Sequence, residues 1–146
     1  TLSVPGVTGI KVSSNDFFFT QQIMNACPDN IVVFNGKDEY LAPSVIHGAH
    51  GGIGLWANVF PGAYSAIYNN ASDGNLKRAF EIQKELNAFC CIAMRHGLLK
   101  SFEMTLHYLG YWDQAFRRPN QRFTKDMYDI FISEAGLLVN CLTSIS

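Results

Sequence analysis

A lysine stands inside a short apolar segment near the start of the sequence, at position 11. Residues 7–12 read VTGIKV, a β-branched run that predicts a short buried strand with Lys11 near its carboxyl end. In parallel α/β proteins, reactive groups lie at the carboxyl ends of strands. If this strand end faces the mouth of a barrel or sheet, desolvation disfavours the ammonium form, and a neutral lysine can attack a ketone to form a Schiff base. A solvated surface lysine is the competing interpretation of the same pattern.

A second candidate segment, FNGKDEY, covers residues 34–40 and follows another predicted strand. Gly36 permits a ligand to approach the backbone closely. Asp38 and Glu39 offer carboxylates that can accept hydrogen bonds from the hydroxyls of a polyol. Acidic residues in a first helical turn also stabilise the helix dipole without any ligand, so a structural role stays open.

A third segment, GAHGGIGLWAN at residues 48–58, contains four glycines, the last of them Gly54. Glycines in a strand indicate either close packing against a neighbour or a backbone that lines a ligand site. The spacing meets neither the P-loop nor the dinucleotide-binding pattern. The four cysteines and four histidines show no metal-ligand spacing, so we expect no metal site and reduced, buried cysteines.

The elements that must position these residues alternate between strand and helix. The predicted strands cover 7–12, 31–34 and 51–59, and the predicted helices between them cover 16–27 and 38–47. This alternation implies right-handed βαβ units and a parallel sheet. Three parallel strands form a poor core because both faces of such a sheet must be covered. We therefore expect further strands to complete the sheet.

From about residue 61 the pattern is helical throughout. Predicted helices cover 62–70, 75–96 and 98–109, and a last helix starts near residue 124 after a loop at 117–120. In the longest helix, the apolar residues expected to face the core are Leu76, Phe80, Ile82, Leu86, Phe89 and Ala93. The sequence therefore predicts an α/β region over residues 1–60 and a helical region over residues 61–146.

Composition limits the possible partners. The net charge is −1 and 16% of residues are charged, so no basic surface for nucleic acid is expected. The hydrophobic fraction is 48%, and we expect an oligomer interface or a neighbouring segment to bury part of it. No signal peptide or membrane-spanning stretch is visible, and with reduced cysteines this favours a cytoplasmic protein. The sequence opens with Thr1 rather than methionine, which suggests a processed or truncated piece of a longer protein.

Taken in order, three stretches resemble the dihydrodipicolinate synthase / N-acetylneuraminate lyase family. They are VTGIKVSSND (7–16), VVFNGKDEYLAPSVIHGAHGGIG (32–54) and LKSFEMTLHYLG (99–110). The resemblance covers about residues 4–140, and the Asp38-Glu39 pair brings it closer to the lyases than to the synthases. It implies a class I pyruvate-type aldolase on a (β/α)8 TIM barrel. Residues 1–60 would be a partial barrel segment resembling strands six to eight, and residues 61–146 the last barrel helix and a C-terminal helical extension.

Carried over by position, the family implies that Lys11 condenses with the keto carbon of pyruvate or of a 2-keto acid. Ser13 matches a hydroxyl residue beside the bound substrate. The residues that match the binding site for the polyol tail of a sugar acid are Gly36, Asp38 and Glu39, and Gly54 matches a backbone position in the same pocket. No cofactor is implied, because the covalent Schiff base through Lys11 replaces one.

Two departures from the family pattern stand out. Leu55 occupies the position where sialic acid lyases have a serine, so a different 2-keto-3-deoxy sugar acid becomes the natural alternative substrate. The family's catalytic tyrosine and its hydroxyl pair for the pyruvate carboxylate belong to the first five strands, which this sequence does not contain. We therefore expect the chain alone to be inactive or nearly so. Two interpretations remain, a lyase part that needs an N-terminal half or a silent barrel fragment that forms homo-oligomers.

Overall fold

The computed structural model describes residues 4–111 and 123–146, so the predicted loop at 117–120 lies outside the described residues. The strands are β1 (Gly9–Val12), β2 (Val32–Asn35) and β3 (Gly51–Gly52). The helices are α1 (Phe17–Ala26), α2 (Leu41–Ile46), α3 (Pro61–Ser72), α4 (Leu76–His96), α5 (Leu98–Tyr108) and α6 (Lys125–Ser144). Two short 3₁₀ turns, Asp38–Tyr40 and Trp56–Asn58, follow β2 and β3.

The three strands form one parallel sheet in the order β1-β2-β3. Lys11 of β1 lies opposite Phe34 of β2, and Phe34 lies opposite Gly51 of β3. Because the strands are parallel, their carboxyl ends meet at the same end of the sheet. The predicted α/β class and the parallel sheet are confirmed, and Lys11 is the penultimate residue of its strand.

The helix boundaries follow the capping residues that the sequence contains. The Asp16 side chain accepts a hydrogen bond from the Phe19 N–H at 3.1 Å, which caps α1. The Thr124 hydroxyl accepts from the Met127 N–H at 3.2 Å and caps α6 in the same way. Gly48 follows α2 with φ +101°, a conformation that glycine adopts without strain.

The predicted third strand over 51–59 is wrong beyond Gly52. The Leu55 and Trp56 N–H groups donate to the Asp38 carboxylate at 3.2 Å and 3.0 Å. These bonds hold the backbone in a turn, and the 3₁₀ segment Trp56–Asn58 begins there. Asp38, seventeen positions before Leu55, therefore ends β3, and nothing in the local sequence predicts this end.

The predicted core face of α4 is correct in its middle but wrong at its start. Leu76 and Phe80 are 44% and 46% exposed. The buried positions of α4 are Ala79, Ile82, Gln83, Leu86, Phe89, Cys90 and Ala93. The apolar ones belong to one hydrophobic cluster that runs from Leu41 of α2 to Leu142 of α6. The cluster covers both sides of residue 60, and a domain boundary there stays a prediction.

Helices α4 and α6 are also joined at their exposed surface by Glu134. Arg95 donates to its carboxylate at 2.6 Å, and His96 lies 3.4 Å from its other oxygen. The hydrogen bonds from Arg95, and to a lesser extent from His96, lower the pKa of Glu134.

Within the described ranges, no helix is both long enough and apolar enough to cross a membrane.

Candidate active site

Three of the predicted site residues meet where β1 and β2 end. The Gly36 N–H donates to the Val12 carbonyl at 2.7 Å, which brings the two strand ends together. A Cβ atom on Gly36 would lie 2.7 Å from Lys11 Cε and 2.9 Å from that carbonyl oxygen, and it would overlap the Ser13 hydroxyl. The Lys11 and Ser13 side chains therefore lie directly against Gly36, and the site has no room for a larger residue there.

The Lys11 side chain is exposed and, among residues 4–111 and 123–146, forms no ion pair. It lines a cavity of about 330 Å³ together with Ser13 and the apolar side chains of Phe19 and Ile23 on α1. The arrangement places an amine and a hydroxyl beside an apolar wall. Such a pair can bind and condense with a small carbonyl compound.

The second part of the site is built around Asp38, whose side chain is buried. Its carboxylate accepts the N–H groups of Leu55 and Trp56 and a hydrogen bond from the Tyr64 hydroxyl on α3. Burial raises the pKa of Asp38, and the hydrogen bonds from Tyr64, Trp56 and Leu55 act in the opposite direction. A carboxylate offers about four acceptor positions, so three donors leave about one free.

Gly54 and Glu39 flank this buried carboxylate. A Cβ atom on Gly54 would lie 2.7 Å from Asp38 Cγ and would overlap the Tyr64 hydroxyl. The Glu39 side chain is half-buried, and one of its oxygens lies 3.6 Å from Lys37 Nζ. The structure thus gathers the predicted residues into a lysine group (Lys11, Ser13, Gly36) and a carboxylate group (Asp38, Glu39, Gly54), linked by one residue of chain.

Two amide side chains of α4 reach into the carboxylate group, and the sequence interpretation missed both. Gln83 is 3% exposed; its Oε1 accepts the Ala42 N–H at 2.8 Å, and its Nε2 donates to the Asp38 carbonyl at 3.0 Å. Asn87 accepts from Gln83 at 2.8 Å and donates to the Glu39 carbonyl at 3.3 Å. Gln83 could have been found from the sequence, because it is a polar residue on the same helical face as the apolar Ala79 and Leu86. Tyr64, also missed, gave no comparable signal.

The prediction for the cysteines is partly wrong. Cys27, Cys90, Cys91 and Cys141 are all free, but only Cys90 is buried, whereas Cys91 and Cys141 are exposed. Burial raises the pKa of the Cys90 thiol. In the part of the chain that the structure describes, no three acidic, histidine or cysteine residues are grouped as a metal site would require.

The sequence profile of the dihydrodipicolinate synthetase family matches residues 1–135 of the chain. The N-acetylneuraminate lyase of Salmonella typhimurium is 33% identical over 108 residues. That alignment covers 74% of this chain and 36% of the lyase. The aligned part of the chain therefore spans about a third of the length of this relative.

Solved structures share the fold. The dihydrodipicolinate synthase of Bacteroides thetaiotaomicron matches with a TM-score of 0.84 and 27% identity, over 92% of this chain and 47% of that one. A variant of the Sulfolobus solfataricus 2-keto-3-deoxygluconate aldolase, in complex with L-2-keto,3-deoxy-galactonate, matches with a TM-score of 0.82 and 19% identity. That match covers 92% of this chain and 46% of the aldolase.

Proposed function

The chain belongs to the dihydrodipicolinate synthetase family, and from that premise we propose that it carries the Schiff-base lysine of a pyruvate-type lyase. The lyase reversibly cleaves a 2-keto sugar acid to pyruvate and an aldehyde. The observation that carries the proposal is the position of Lys11 at the carboxyl end of β1, against Ser13 and Gly36. The neighbouring carboxylate group supplies hydrogen-bond acceptors for a hydroxylated substrate.

The proposed reaction begins when the Lys11 amine attacks the keto carbon of the substrate and water leaves, which forms a protonated imine. The bond between C3 and C4 then breaks, and its electron pair moves into the imine to give an enamine. The C4 hydroxyl loses its proton, so the departing half leaves as an aldehyde. Protonation of the enamine at C3 and hydrolysis of the imine release pyruvate and restore the lysine. No cofactor is needed, because the imine itself accepts the electron pair.

We propose that the carboxylate group (Asp38, Glu39, Gly54) binds the polyol tail together with Gly36 of the lysine group. Leu55 argues against N-acetylneuraminate as the substrate. Its side chain packs against the hydrophobic core and offers no hydroxyl, while its N–H is already bonded to Asp38. A 2-keto-3-deoxy sugar acid without the N-acetyl side arm is therefore the proposed substrate, since a lost hydroxyl contact changes specificity strongly.

A complete site needs more strands than the three described. Among the described residues, β1 and β3 each pair on one side only. We propose that this sheet is strands six to eight of a (β/α)8 barrel. The preceding five strands would supply the proton relay and the clamp for the pyruvate carboxylate. Homo-oligomers and a cytoplasmic location are part of the same proposal.

The test measures pyruvate release after the chain is combined with strands one to five of a relative, such as the Bacteroides synthase. We expect release from six-carbon 2-keto-3-deoxy sugar acids to exceed release from N-acetylneuraminate. The Lys11→Arg variant keeps the charge but cannot form the imine, so it should release none. Equal release by wild type and Lys11→Arg would reject the proposed role of the lysine.

A second candidate function is a catalytically silent module that associates through its open sheet. Strand β1 pairs on one side only among the described residues, and on α1, which follows it, Phe18 and Phe19 are 66% and 46% exposed. Exposed apolar side chains next to an unpaired strand favour association. Sedimentation of the chain alone tests this candidate: a stable monomer over a wide concentration range would contradict it.

A further inference from the structure

We propose that Gln83 of α4 is a positioning residue, which with Asn87 holds the carboxylate group in place for the hydroxylated tail of the substrate. The inference rests on the proposed function for its substrate but not for its geometry. It assigns a role in tail recognition to the long helix that follows the α/β region. Neither residue is placed in contact with the substrate.

Gln83 bonds to both ends of the segment that carries the carboxylates. It accepts from the Ala42 N–H at 2.8 Å and donates to the Asp38 carbonyl at 3.0 Å, so one side chain spans residues 38–42. Asn87, one helical turn later, donates to the Glu39 carbonyl at 3.3 Å and accepts from Gln83 at 2.8 Å. The two amides therefore fix the backbone of Asp38, Glu39 and Ala42 from outside the sheet.

The constraint extends from this segment to the opposite wall of the site. The Asp38 carboxylate accepts the N–H groups of Leu55 and Trp56 and contacts the Tyr64 hydroxyl. Gly54 lies against the same carboxylate. Movement of the Asp38 backbone would displace its carboxylate, and the backbone next to Gly54 would follow. One hydrogen-bonded chain thus runs from α4 through Asp38 to α3.

The lysine group is held differently. Gly36 is bonded to the Val12 carbonyl, and Lys11 and Ser13 are set by their strand and by the loop that follows it. Among the described residues, no hydrogen bond joins Lys11 or Ser13 to Gln83 or Asn87. Loss of Gln83 should therefore weaken recognition of the tail and leave imine formation with pyruvate, which has no tail, nearly unchanged.

The Gln83→Met variant tests this separation, because methionine keeps the length of the side chain and the helix propensity but has no amide. The assay is reductive trapping at Lys11 with cyanoborohydride, with strands one to five of a relative supplied. It compares the half-saturating concentrations of pyruvate and of a six-carbon 2-keto-3-deoxy sugar acid. We expect about a tenfold rise for the sugar acid and less than about a twofold change for pyruvate. Gln22→Met, on the exposed face of α1, is the matched control and should change neither.

Equal rises for both ligands, or no rise for the sugar acid, would overturn the positioning role. Hydrogen exchange provides a readout without activity: in Gln83→Met, amides at 38–42 and 54–56 should exchange faster while those at 9–12 keep their protection. Unchanged exchange rates of the amides at 38–42 would also overturn the positioning role of Gln83. Asn87→Ala should give the same pattern of faster amide exchange, with smaller changes in rate than Gln83→Met. If wild type forms no adduct with either ligand even when strands one to five of a relative are supplied, the proposed function fails. The exchange data alone then decide the role of Gln83.

Discussion

Gly36→Ala is the substitution that most directly perturbs the lysine group. The new Cβ would lie 2.7 Å from Lys11 Cε, whereas ordinary contact begins at 3.4 Å, so the lysine must shift by about 0.7 Å. The Val12 carbonyl, 2.9 Å from the same Cβ, is backbone and cannot give way cheaply. Overpacking of this kind costs about 1–3 kcal/mol of folding free energy. A misplacement approaching 1 Å reduces a well-aligned reaction by about tenfold to a hundredfold.

Gly48→Ala is the matched control for this substitution. Gly48 has φ +101°, and a Cβ atom at that position would have no neighbour within 4 Å, so alanine there is strained by its backbone and touches no site residue. The expected cost is again about 1–3 kcal/mol. The assay combines urea denaturation with the rate at which pyruvate and cyanoborohydride add mass to Lys11 when strands one to five of a relative are supplied.

The two variants should lose similar stability, but only Gly36→Ala should lose reactivity at Lys11. A wild-type rate in Gly36→Ala would refute the close packing of the lysine against Gly36. A comparable loss of rate in Gly48→Ala would show that reactivity follows overall stability rather than this contact.

Three further predictions concern the surrounding structure. Iodoacetamide should modify the exposed Cys91 rapidly, but it should modify Cys90 only on unfolding, because burial shields the Cys90 thiol and raises its pKa. Mass spectrometry of the native chain distinguishes the two sites, and equal rates of modification would contradict the burial of Cys90. The lowered pKa of Glu134 adds stability above pH 4.5 that is lost as pH falls through the folded value. In Glu134→Gln, the melting temperature should therefore fall less steeply as the pH is lowered below 4.5 than it does in wild type. An unchanged fall of the melting temperature would contradict this. Tyr64→Phe should cost about 1–3 kcal/mol in urea denaturation, because a buried carboxylate loses a donor, whereas Tyr68→Phe on the same helix should cost little.

Local sequence signals predicted the parts of the fold that local chemistry decides. The caps Asp16 and Thr124 start their helices, and Gly48 follows α2, as expected from their side chains and conformational freedom. The position of Lys11 near a strand end followed from the β-branched run VTGIKV at residues 7–12. That run was therefore sufficient to place the candidate lysine.

Long-range hydrogen bonds decided what the sequence could not predict. The third strand stops after Gly52 because Asp38 captures the N–H groups of Leu55 and Trp56. Gln83 is buried because it bonds to a segment 41 to 45 residues away, so a polar side chain occupies a core position. The carboxylate group was predicted as a set of ligand-binding residues, but its hydrogen-bond partners Tyr64, Gln83 and Asn87 belong to α3 and α4. Because these partners are far away in sequence, no local pattern predicts them.

The central claim is that Lys11 forms an imine with a keto acid. The most direct measurement is reduction with cyanoborohydride in the presence of pyruvate, followed by fragmentation of the peptide that contains Lys11, with and without the five preceding barrel strands supplied. We expect added mass on Lys11, none in Lys11→Arg, and none on Lys37 or other lysines. No adduct at Lys11 under either condition, or mass spread evenly over exposed lysines, would contradict the claim.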